Sequence, residues 1–189
     1  MIHWSTCIAL LDACVLYPAP IRDFLLHLAD VGLFSPRWTD KIHEEWTRNL
    51  RLNRPDLSAE QLQKTVAAMN NAFPEATVRH YETLMASIDL PDQDDRHVLA
   101  AAVRCQADII ITANLKDFPR EYVTSFGLDI QHPDHFIVNL IETNPEKSVE
   151  AFLRQVSYLK NPPLTNEHVL TNFRNVGLPR TANRLAGLL

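Results

Sequence analysis

Three consecutive isoleucines inside Asp108–Thr112 constrain the fold of this chain more than any other stretch. A short run of β-branched apolar residues reads as a buried strand, and Thr6–Leu11, apolar and stopped by Asp12, reads as another. Helical patterns lie between such runs. Pro18 and Pro20 open a helix to about Ala29, with Gly32 placed to end it. Leu33–Trp38 is a weaker strand because Pro36 sits inside it. Thr39 is placed to cap a helix reaching about Arg54, and Ser58-Ala-Glu-Gln61 is a capping box for a helix that stops before Pro74. Ala76–His80 is a further strand candidate. A helix from Pro91 to about Gln106, one around Pro119–Phe126 and a short strand Leu128–Gln131 follow. This alternation predicts an α/β fold, a parallel sheet with helices on both faces.

After Pro133 no strand pattern returns. Helices are expected over 134–143, 146–160, 166–175 and 180–188, separated by Pro145, Pro162-Pro163 and Gly177. The expected subdivision is therefore residues 1–131 and 132–189.

Four acids stand next to the apolar runs: Asp12, Glu45, Asp95 and Asp117. In a parallel sheet such positions gather at the carboxyl ends of the strands, where sites form. Carboxylates forced together repel unless a hard cation neutralises them, so the pattern points to a metal-dependent enzyme. Helical geometry separates neighbouring acids at about 100° per residue. In the helix after Thr39, Ile42, Trp46 and Leu50 form the buried stripe; Glu45 lies at its edge and Glu44 points to water. In the helix after Pro91, Val98, Leu99, Ala102 and Cys105 define an inner face on which Asp95 falls. Each acid also has a plainer reading. Asp12 suits a turn after a strand, Asp92 an N-cap, and Asp117 the start of a helix at Pro119. Their joint placement is what favours the site.

The net charge of −5 argues against a broadly basic nucleic-acid-binding surface. Residues 1–130 hold 12 basic and 18 acidic residues, whereas 131–189 hold 6 and 5, so the acidic excess lies with the proposed site. Arg48, Arg51 and Arg54 form a local basic ridge. Cys7, Cys14 and Cys105 have no C-x-x-C spacing and read as small buried thiols. His132-Pro-Asp-His135 lacks a partner pair for zinc, His97 reads as a packing or hydrogen-bonding residue, and Trp4, Trp38 and Trp46 read as core or interface. No apolar run approaches the roughly 20 residues of a membrane helix, and no basic leader precedes the first strand, so the cytoplasm is the expected location.

Four segments together resemble the PIN domain, a family of metal-dependent ribonucleases. They are Leu-Leu-Asp12-Ala-Cys-Val-Leu-Tyr, Trp-Thr-Asp-Lys-Ile-His-Glu-Glu45-Trp, Pro-Asp-Gln-Asp-Asp95-Arg-His-Val-Leu-Ala-Ala-Ala, and Ala-Asp-Ile-Ile-Ile-Thr-Ala-Asn114-Leu-Lys-Asp117-Phe-Pro. The resemblance covers about residues 6–131, and the remaining helices are similar to the C-terminal extension of some bacterial VapC-type toxins. It implies a three-layer sandwich with a central, mainly parallel sheet, followed by an α-helical extension. It also implies hydrolysis of RNA with magnesium or manganese held by Asp12, Glu45, Asp95 and Asp117, with Asp92, Asn114 and Thr112 as secondary candidates. Many family members carry Asp where this chain has Asn114. Arg48 and Arg51 are the expected RNA contacts, and a cognate antitoxin and a homodimer are the expected partners. Alanine at Asp12, Glu45 or Asp95 is expected to abolish cleavage without unfolding the chain. An RNA-processing nuclease without antitoxin, a catalytically silent PIN-like binding module and an unrelated metal-dependent phosphatase remain as alternatives.

Overall fold

In the computed structural model, residues 6–189 are described; Trp4 lies outside them. The first strand, β1 (Ile8–Leu11), is joined on one side by β2 (Ser35–Arg37) and on the other by β3 (Ile109–Ile111), with β4 (Asp129–Gln131) beyond. All pairings are parallel, with Ala9 opposite Pro36 and Ile109, and Ile110 opposite Ile130. The sheet is therefore four-stranded, in the order β2-β1-β3-β4. Ala9, Leu10, Leu11, Ile110 and Ile111 are fully buried, so helices cover both faces of the central strands. Pro36 is tolerated because β2 has no full neighbour on its outer side.

The expected strand at Ala76–His80 shrinks to a single bridge between Trp38 and Thr77. Trp38 N–H donates to the Ala76 carbonyl and Val78 N–H to that of Trp38, after which His80 turns to a φ of 61° and the chain leaves the sheet. Capping signals fared better. Thr39 accepts from Ile42 N–H at the start of α3 (Asp40–Asn53), and the Ser58–Gln61 capping box opens α4 (Ala59–Ala72). A four-residue helix, α1 (Ala13–Leu16), was not anticipated; α2 (Ala19–Asp30) follows it. After α4 come a short turn of helix, α5 (Glu82–Met85), and then α6 (Arg96–Arg104). The helix expected from Pro91 begins later because Asp92 accepts from Asp94 N–H and winds Gln93–Asp95 into a tighter 3-10 turn. A second 3-10 turn, Leu115–Asp117, precedes α7 (Arg120–Thr124).

The C-terminal helices are α8 (Pro133–Thr143), α9 (Pro145–Tyr158), α10 (Asn166–Asn175) and α11 (Pro179–Ala186). They share one continuous apolar core with the sheet. Phe24 of α2 meets Phe152 of α9 at 6.3 Å and Phe173 of α10 at 5.0 Å between ring centroids, and Phe34 meets Phe136 of α8 edge-on. Arg154 pairs with Asp30 across the same seam. The His132–His135 segment is structural: His132 Nδ1 accepts from Asp134 N–H and starts α8. The Asp134 carboxylate accepts from Arg180 N–H at 3.1 Å and Thr181 N–H at 2.8 Å, capping α11 from a different helix.

Candidate active site

Chain order reverses beside β1: one neighbour is reached through α1 and α2, the other only after α3 to α6. The loops leaving β1 and β3 part at such a point and open a crevice at the carboxyl ends of the strands. Asp12 ends β1 there. Its N–H donates to the Ile111 carbonyl, its Oδ1 accepts from Ala13 N–H at 2.6 Å, and its Oδ2 accepts from the Thr112 hydroxyl at 2.7 Å and the Cys14 thiol at 3.1 Å. Asp12 thus caps α1 and is fixed by four groups, with only 6% of its surface exposed. Thr112, fully buried, also accepts from Asn114 N–H at 3.0 Å, and so ties the β3 loop to the β1 acid.

Asp12, Glu45, Asp95 and Asn114 line a cleft of about 700 Å³, together with Lys41, Arg48, Asn49, Asn53, Tyr17 and Asp94. Glu45 reaches it from α3, at the edge of the fully buried stripe of Ile42 and Trp46, while Glu44 is exposed as expected. Asp95 reaches it from the 3-10 turn rather than from the inner face of a helix, and is half-buried. Burial, and then the charges of Asp12, Asp92 and Asp117, push its pKa up to about 7, an effect only partly offset by His97. Asp117 is therefore close enough to act on Asp95 electrostatically, yet it stands off the cleft lining. Nor does Asp117 cap α7, which has no side-chain cap. Asp92 caps its own turn from an exposed position. Among the described residues no three His, Cys, Asp or Glu side chains stand close enough together, as they lie, to enclose an ion.

The basic residues divide. Arg48 lines both the cleft and a groove of about 930 Å³ between α3 and α4, and Arg51 lines the groove alone. Arg54 forms a bidentate pair with Asp56 at 2.8 and 2.7 Å, which neutralises its charge. Lys41 went unnoticed in the sequence, although Lys41, Glu45, Arg48, Asn49 and Asn53 share one face of α3 at helical spacing. Cys14 and His97 read in the sequence only as a small thiol and a packing or hydrogen-bonding residue, because Thr112 and Glu45, which they meet, are remote in sequence. Burial, reinforced by the Asp12 charge, pushes the Cys14 thiol up to about 12, so it donates a proton and does not act as a thiolate. His97, fully buried, has Nε2 at 2.9 Å from Glu45 Oε1. Trp38 and Trp46 are core residues joined through His43 and Asn70: Trp46 Nε1–H donates to His43 Nδ1, and His43 Nε2 and Trp38 Nε1–H both meet Asn70 Oδ1.

Residues 133–187 match the family VapC50 C-terminal domain. Over 105 residues the chain is 34% identical to "Putative ribonuclease VapC50" of Mycobacterium tuberculosis (strain ATCC 25618 / H37Rv), an alignment covering 56% of this chain and 50% of that protein. The chain thus spans half the length of the curated relative it matches. No solved structure matches it. Residues 8–116, which hold three of the four sheet strands and Asp12, Glu45, Asp95 and Asn114, match the family PIN domain over more than half of the chain, and the chain belongs to that family.

Proposed function

We propose that this PIN domain protein is a metal-dependent endoribonuclease, the toxin of a type II toxin–antitoxin pair, with residues 132–189 as a helical extension of the nuclease part. The observation that carries the reading is Asp95: a carboxylate on a shared cleft whose proton is held to about pH 7 by burial and by three other acids. Such a concentration of negative oxygen donors suits a hard divalent cation, magnesium or manganese. Asp12, Glu45 and Asp95 would hold it, with Asp117 and Asn114 as further oxygen donors and Asp92 and Thr112 in support. When bound, the cation supplies Lewis acidity that lowers the pKa of the attacking water and offsets charge developing on the phosphate.

The chain's own groups do the rest. Thr112, Ala13 N–H and Cys14 hold the Asp12 carboxylate in one orientation. Lys41 and Arg48 present positive charge along the same wall of the cleft, where a phosphodiester would lie, and Arg51 continues that charge along the α3–α4 groove. In-line attack leaves a 5′-phosphate and a 3′-hydroxyl. A cognate antitoxin and a second copy of the chain are the proposed partners, and the cytoplasm is where the substrate would be met.

The test is expression of the parent and of Asp95→Asn in bacteria, with sequencing of RNA 5′-phosphate ends, and cleavage of the same RNA in vitro with and without EDTA. New 5′ ends from the parent alone, abolished by EDTA, support the reading. Asn114 in place of an acid favours a second reading, a silent RNA-binding module. A parent that binds RNA but never cuts it, whatever the metal, establishes that one instead.

A further inference from the structure

Glu45 has one polar side-chain partner among the described residues, and it is His97. The two lie on different helices, Glu45 on α3 lining the cleft and His97 on α6 beneath its surface. His97 is fully buried in the first turn of α6, which packs on β1 and β3. Its Nδ1 has no hydrogen-bond partner, and the N–H at Nε2 is not aligned with the carboxylate, although the atoms are 2.9 Å apart. A buried imidazole without partners is costly, and no other described carboxylate lies within 4.0 Å of it. The Glu45 side chain is 23% exposed at the cleft surface, whereas the ring is fully enclosed by the core. Rotation of the carboxylate onto the ring N–H satisfies the Nε2 donor and fixes the direction of the acid.

We propose that His97 is a positioning residue for Glu45, a rigid buried donor that holds one carboxylate oxygen so that the other faces the cleft. It never touches RNA or cation. This rests on the nuclease reading above. Groups that hold a ligating carboxylate from behind change metal affinity or activity by about 10- to 100-fold when removed.

Amide side chains discriminate this role from simple filling of space. The nitrogen of Gln falls where Nε2 stands, whereas that of Asn falls where Nδ1 stands. The experiment measures Mn2+ binding by titration calorimetry and steady-state RNA cleavage for the full chain carrying His97→Leu, His97→Gln or His97→Asn. His97→Leu is expected to weaken Mn2+ binding by about 10- to 100-fold and lower kcat with KM for RNA little changed; His97→Gln restores most of both, and His97→Asn does not. The contrast between Gln and Asn decides even if the Leu variant does not fold. If all variants that fold bind Mn2+ and cut like the parent, or if Gln and Asn are equally impaired, the positioning role is overturned while the nuclease stands. A parent that neither binds Mn2+ nor cuts RNA overturns both.

Discussion

Asp95 keeps its proton up to about pH 7, well above the ordinary carboxylate value of 3.8. An acid whose pKa rises on folding binds protons more tightly folded than unfolded. Its destabilising effect is therefore fully present above about pH 7 and fades as pH falls toward 3.8. Asp95→Asn should raise the melting temperature most at pH 8, by less than half as much at pH 5 and hardly at all below about pH 3.8, read by calorimetry in EDTA. Mn2+ should raise the melting temperature of the parent at pH 8 and do little for the variant. Asp12 behaves differently, since it both lines the cleft and caps α1. Asp12→Ala should abolish cleavage and also cost about 1 kcal/mol in urea unfolding, whereas Asp12→Asn should abolish cleavage at smaller cost. The expectation that alanine here leaves folding untouched is thus narrowed for Asp12. At this scale the sequence told apart Glu45 and Glu44 by helical spacing. It was silent on Cys14 with Thr112 and on His97 with Glu45, because contacts across 98 and 52 positions leave no local pattern.

Elements were legible wherever a side chain closes a local hydrogen bond. Thr39 and the Ser58–Gln61 box act on backbone N–H groups three residues away, and both helices start where they should. The start of α6 was misplaced because Asp92 bonds two residues on and not three, which winds a different turn. Distant caps are invisible in the same way: nothing near Pro179 signals that Asp134 will hold Arg180 and Thr181 N–H. Asp134→Ala leaves both donors without that partner, the Thr181 N–H in a buried position, and should destabilise the protein by about 1–3 kcal/mol in urea titration. The bond between Trp46 and His43 inside α3 depends on a neutral imidazole, since His43 Nδ1 accepts from Trp46 Nε1–H. Burial lowers the His43 pKa below its ordinary 6.5, so its contribution is complete above pH 6.5 and is lost as pH falls through the lower folded value. His43→Gln should flatten the dependence of stability on pH between 7 and 5.

At the level of the whole molecule, alternating strands and helices announced the parallel sheet, but not its order, which depends on which edge each crossover reaches. The helices after Pro133 were foreseen in number; that Phe152 and Phe173 close on Phe24 was not, since aromatic residues on three helices do not say which will meet. Because one core joins both parts, tryptophan fluorescence and far-UV circular dichroism should report coincident unfolding in urea. A chain ending at Gln131 should bind an apolar dye or aggregate. The same seam has a bearing on self-association. With α9 and α10 laid over α2, that flank is already roofed by the chain itself, and a twin would meet the roof and not α2 there.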